Sequence, residues 1–113
     1  MMTDAAMALP PRAGDSRKFL RQRVYLSGRI IYGDGSFTIN CRIRDISECG
    51  ARIVLSVGMV IPTHNILVQV GNRIVHDAAV ARIASPEFGL KFISTHSLDA
   101  VLPPHMQYLK RYR

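Results

Sequence analysis

The chain has 113 residues, 48% of them hydrophobic, which is the size and make-up of one globular domain. That content excludes a wholly disordered chain. A chain of this length buries about two-thirds of its unfolded surface, so it needs neither disulfide nor metal to hold a core. Fifteen Lys and Arg stand against eight Asp and Glu, a net charge of +7, and only Lys18, Lys91 and Lys110 are not Arg. Guanidinium groups favour planar, bidentate recognition of phosphate or guanine, so the composition points to an anionic partner. No segment approaches the roughly 20 apolar residues of a membrane-spanning helix. The first residues also lack the basic-then-apolar pattern of an export signal. No membrane insertion and a cytoplasmic location are therefore expected. Cys41 and Cys49 have no second pair, so they form neither a zinc knuckle nor a disulfide framework, and both are expected as reduced thiols.

Residues 1–16, with Pro10-Pro11 and Gly14 and no apolar period, read as a flexible tail. A basic run follows, Arg17, Lys18, Arg21 and Arg23, with Phe19 and Leu20 interleaved. Val24, Leu26, Ile30 and Tyr32 then share one parity against Ser27 and Arg29, a period of two that predicts a strand. Gly33-Asp34-Gly35-Ser36 reads as a hairpin turn built on Asp-Gly. In the return strand Phe37, Ile39, Cys41 and Ile43 face one way, and Thr38, Asn40, Arg42 and Arg44 the other. Asp45 to Gly50 interrupts the alternation, and Ala51 to Leu55 is a short strand. Ile66 to Val70 is the next, closed by a Gly71-Asn72 turn. From Arg73 to Ala84 the parity slips, with Ile74, Ala78 and Val80 against Val75, Ala81 and Ile83, and a bulge would reconcile them. Ser85-Pro86-Glu87 turns the chain into a last strand, Phe88 to Ile93, with Leu90 and Phe92 inward.

Six short strands with turn signals between them predict an all-β, mainly antiparallel fold, a sandwich or small barrel. The end differs. Ser97 is a plausible N-cap for a helix that Pro103-Pro104 breaks, and a second helical stretch over 105–113 would present Met106 and Leu109 at a spacing of three, as a cap on the barrel's open end. The expected organisation is a tail over 1–16, a barrel over 17–96 and a C-terminal helical segment over 97–113.

Catalytic and metal-binding sets are not evident. The four His are scattered, no GxSxG surrounds Ser47, and neither a carboxylate pair nor a phosphate loop stands out. No enzyme, no metal and no cofactor are expected. Two motifs remain: RxxxR, formed by Arg17 and Arg21 ahead of the first strand, and DxSxxG, formed by Asp45, Ser47 and Gly50 after the second. Either alone is weak, since Arg pairs are common on solvated faces and Asp, Ser and Gly together often only make a turn.

In this order and setting, followed by Glu87-Phe88-Gly89-Leu90-Lys91-Phe92, the motifs resemble the PilZ domain, the bacterial receptor module for cyclic di-GMP, from about Arg17 to Ile93. The resemblance implies a six-stranded antiparallel β-barrel with helices beside it. It also implies a non-catalytic role, with Arg17 and Arg21 gripping phosphate and guanine. Guanine offers N7 and O6 to an arginine fork. Its N1–H and N2–H₂ donors need acceptors, which Asp45 and Ser47 can supply. Gly50 would let ligand approach the backbone, or allow a positive φ. Many binders of this family carry a further Arg directly before RxxxR. Here that place is Ser16, which bears on whether one ligand or a stacked pair is held. The arm from Arg17 to Arg23 is expected to order only over bound ligand, with the signal passed to an unidentified downstream protein. The alternatives are a basic barrel binding RNA or single-stranded DNA, which the small number of aromatics disfavours, and a degenerate interaction module without ligand.

Overall fold

A computed structural model describes residues 22–112 of the chain, with side chains over 23–111. The tail and the RxxxR arginines lie outside the described residues. Six strands form: β1 Gln22–Tyr32, β2 Phe37–Ile46, β3 Gly50–Val54, β4 His64–Gln69, β5 Ile74–Ala84 and β6 Glu87–Ser97. All pairings are antiparallel, and the order β1-β2-β3-β6-β5-β4 closes on itself through β4 and β1. Closure gives each of the six strands a neighbour on both sides, so none lies at a sheet edge along its whole length.

The β1–β2 turn forms as its Asp-Gly core requires. Asp34 and Gly35 have φ of 55° and 93°, and the Ser36 amide donates to the Gly33 carbonyl at 3.0 Å. Two positive φ values give the hand of a type I′ turn, which matches the twist of the flanking strands.

The inward parity of each strand fills the barrel. Ile30, Ile43, Ile53, Leu67, Ala78, Phe88 and Leu90 are buried there together, with Val24, Leu26, Cys41 and Phe92 packed against them. Cys41 is a core side chain, and burial pushes its thiol up to about 12. The slipped parity of β5 resolves as a register shift between Val80 and Arg82, and β6 carries another opposite Asp77 and Ala78. At and beyond the β5 shift Ala81 and Ile83 are exposed, and Val75, the other residue out of parity, faces the outer cluster, so the slip separates two outward surfaces from one inward set.

A second core lies outside the barrel wall. Ile31, Ile66, Val68 and Val75 point outward from β1, β4 and β5, and they are covered by Leu98, Leu102, Met106 and Leu109. β4 is therefore buried on both faces, from Asn65 to Gln69.

Two expectations for the C-terminus are corrected here. Ser97 ends β6 instead of capping a helix, and residues 98–103 are irregular. The helix is a single 3₁₀ stretch, Pro104–Tyr112. It packs along the side of the barrel, not over its open end, because the outward apolar residues of β1, β4 and β5 need cover. A 3₁₀ helix repeats every three residues, so Met106 and Leu109 eclipse and both bury completely. Polar ties hold the segment. Arg73 forks onto Asp99 with bonds of 3.0 and 2.6 Å, and Arg111 donates to the Gly35 carbonyl at 2.8 Å. The expected arm is also shorter than read, since Gln22 and Arg23 already pair with Ile46 and Asp45 in β1.

Candidate ligand-binding site

On the wall away from the C-terminal segment, the pairing collects charge. Between β2 and β3, Ile43 pairs with Ile53 and Asp45 pairs with Arg52, so Arg44 is skipped. That bulge lets Ile43 and Ile46 both face the core while Arg44 and Asp45 turn outward together. A matching shift between Arg23 and Leu26 sets Arg23 opposite Asp45 on β1.

The DxSxxG segment is a tight turn organised by its serine. The Ser47 hydroxyl oxygen accepts from the Cys49 and Gly50 amides at 3.1 and 3.3 Å, and its O–H donates to the Gly50 carbonyl at 3.4 Å. The Ser47 amide donates to the same carbonyl at 2.8 Å. The hydroxyl is thus engaged within the turn. Gly50 is not held at positive φ. It is needed because β3 and β6 approach closely there: a Cβ on Gly50 would lie 2.1 Å from the Leu90 carbonyl oxygen.

Asp45 is 9% exposed, and Arg52 Nε lies 3.6 Å from its Oδ2. The same Arg52 nitrogen lies 3.9 Å from Glu87 Oε1, and Glu87 Oε2 also takes the Arg44 guanidinium. Arg44 reaches Glu87 across β3, from β2 to β6.

Two hollows lie on this wall. The larger, about 540 Å³, is lined by Cys49, Gly50, Arg52, Arg82, Glu87 and Lys91 among others. The smaller, about 280 Å³, is lined by Arg23, Val24, Tyr25, Arg42, Arg44 and Asp45. The larger falls within the roughly 300–1,000 Å³ of small-ligand sites. Cations outnumber carboxylates on this wall, and Arg42 lies 5.6 Å over the Tyr25 ring. The arrangement suits a flat, anionic ligand with hydrogen-bonding edges.

Of the residues singled out in the sequence, the structure brings Asp45, Ser47 and Gly50 to this wall. Arg17 and Arg21 lie outside the described residues. Arg44, Arg52 and Arg82 were not singled out, and Glu87 only as part of the closing strand, with no site role. Arg44 was legible as outward by parity, but its meeting with Glu87 depends on which strands pair. Among the described residues no three His, Cys, Asp or Glu gather closely enough to hold a metal, and no helix is long and apolar enough to cross a membrane.

A closed, basic six-stranded barrel carrying a serine-organised turn beside a cationic hollow is the architecture of a small ligand-binding module. A scan against protein families matches the PilZ domain over residues 15–109, and the chain belongs to that family. PilZ domains are non-catalytic modules that bind cyclic di-GMP. No curated protein matches this chain.

Proposed function

We propose that this chain is a cyclic di-GMP receptor that binds through Arg17, Arg21, Asp45, Ser47 and Gly50 and relays the signal to a protein partner. The observation that carries the reading is the DxSxxG turn set at the edge of a cation-lined hollow. In it Arg17 and Arg21 supply the forks for phosphate and guanine, and Asp45 accepts from a guanine edge. Ser47 serves by holding the turn, and Gly50 by letting β3 lie against β6. Residues 17–96 form the receptor barrel, 97–113 buttress it, and 1–16 precede it.

The nucleic-acid alternative wants stacking aromatics on the basic wall. Among the described residues, Tyr32 and Phe37 stack on each other with centroids 5.1 Å apart. Phe88 and Phe92 belong to the barrel core and Tyr108 to the C-terminal contact. Tyr25 alone of the Phe and Tyr with described side chains lies on the basic wall, too little for a strand of bases.

Calorimetric titration with cyclic di-GMP, GTP and a short oligonucleotide tests the proposal. Cyclic di-GMP should bind alone of the three. Arg21→Ala should weaken it by a factor of about ten to a hundred or more, the worth of a lost charge-assisted pair, with the fold intact. An Arg21→Ala variant that titrates like the parent overturns the site, and a parent that takes no cyclic di-GMP overturns the receptor.

A further inference from the structure

We propose that Glu87 is a specificity-determining residue of the site, the carboxylate that reads one guanine of the dinucleotide while Asp45 reads the other. The inference rests on the cyclic di-GMP reading and deepens it. The ligand carries two guanines, and each presents N1–H and N2–H₂, a pair of donors that wants acceptors. Of the acceptors expected in DxSxxG, Ser47 is engaged inside its own turn, where its oxygen accepts from two amides and its hydrogen is directed to the Gly50 carbonyl. That leaves Asp45 and a vacancy.

Glu87 fills it. It is a wall carboxylate outside the motif, and it stands across Arg52 from Asp45. Arg52 Nε lies 3.6 Å from Asp45 and 3.9 Å from Glu87. Asp45 borders the smaller hollow and Glu87 the larger, so each hollow holds one carboxylate, and Arg52, which lines the larger, reaches toward both carboxylates. Arg44 and Arg52 fix the Glu87 side chain before any ligand arrives. A carboxylate has about four acceptor positions and no donor when ionised, so these contacts leave acceptor capacity facing the hollow.

Such a group discriminates bases by sign. The guanine edge brings two donors and is matched. The adenine edge brings an N1 lone pair beside N6–H₂, and the lone pair meets a carboxylate oxygen. A glutamine inverts this, because its amide offers one acceptor and one donor direction, the complement of adenine.

The test titrates the wild-type chain, Glu87→Gln and Glu87→Asp with cyclic di-GMP, cyclic di-AMP and the mixed cyclic GMP–AMP, each variant checked by its thermal melt. The wild type should prefer cyclic di-GMP to cyclic di-AMP by roughly a hundredfold, the discrimination of a good edge contact at each base. In Glu87→Gln, cyclic di-GMP should weaken about tenfold while cyclic di-AMP holds or tightens, and Glu87→Asp should keep the guanine preference. If Glu87→Gln weakens all three ligands alike, the residue only positions Arg44 and Arg52 and the proposal falls. An unchanged preference also overturns it. If Glu87→Gln does not fold, loss of the guanine preference in Glu87→Asp overturns it and retention supports it. A wild type that binds no cyclic dinucleotide overturns the receptor reading and this one with it.

Discussion

Gly50 and Leu90 face each other across β3 and β6 so closely that a Cβ on the glycine would stand 2.1 Å from the Leu90 carbonyl oxygen. The obstacle is backbone, paired through Gly50↔Lys91 and Ala51↔Leu90, so it cannot swing aside as a side chain would. One atom's width of glycine thus sets how near the DxSxxG turn lies to β6, and with it the depth of the hollow between them.

Gly50→Ala should therefore damage the fold and the site together. The strands must part or the turn must shift, an overpacking cost of about 2 kcal/mol or more. For a domain of this size that lowers the melting midpoint by roughly 10 °C. Thermal denaturation followed by circular dichroism measures it. A variant melting with the parent would show that the close approach does not constrain the barrel.

The same glycine shows how much of the molecule was legible beforehand. Period two gave away the six strands, the Asp34-Gly35 hairpin and the inward residues Ile30, Ile43 and Leu90, because alternation and turn chemistry are local. A bulge in β5 was readable from its slipped parity, but its apolar residues Val75 and Ile83 do not join the inward set: Val75 meets the outer cluster and Ile83 is exposed. The reason for Gly50 was not, since it lies in Leu90, forty residues on. Glu87 was hidden for the same cause: its partners Arg44 and Arg52 lie on β2 and β3, which the β3–β6 pairing alone brings near it. The expected barrel cap is instead a side buttress, because a spacing of three between Met106 and Leu109 tells which face is apolar and not which wall it meets. That answer was held in Ile31, Ile66, Val68 and Val75, the outward apolar residues of three other strands.

Met106→Ala tests the cover on that wall. Met106 is fully buried among those outward side chains and sits on a helix tied at both ends of its path to the barrel. Truncation leaves a cavity that a tethered helix closes only in part, a cost of about 2–5 kcal/mol. Val101, 86% exposed in the same segment, is the control, and Val101→Ala should move stability by about 0.5 kcal/mol or less. Urea denaturation of both variants gives the comparison. Equal midpoints for the two would mean that the segment contributes nothing to the fold.

His76 should make the stability of the barrel depend on pH. It is 4% exposed and stacks on Phe92 with centroids 3.8 Å apart and planes 6° from parallel. A polar chain runs through it. Asn72 Nδ2 donates to Gln69 Oε1 at 2.8 Å, which turns the Gln69 amide nitrogen toward His76 Nε2, also at 2.8 Å. Nε2 must then accept, and Nδ1–H donates to Thr95 Oγ1 at 2.8 Å. The network thus assigns the neutral tautomer, and a proton on Nε2 would confront an amide donor. Burial lowers the imidazole pKa from 6.5 to about 4. Between those values the unfolded chain binds the proton and the folded chain does not. Stability therefore rises with pH across that window, and falls as pH drops from about 6.5 toward 4. The depression corresponds to about 3 kcal/mol when fully expressed. His76→Gln, which keeps a hydrogen-bonding side chain and removes the titration, should flatten the profile there by about that amount. Urea midpoints taken at intervals from pH 4 to pH 7 are the measurement, and parallel profiles for parent and variant would show that His76 is not what the acid attacks.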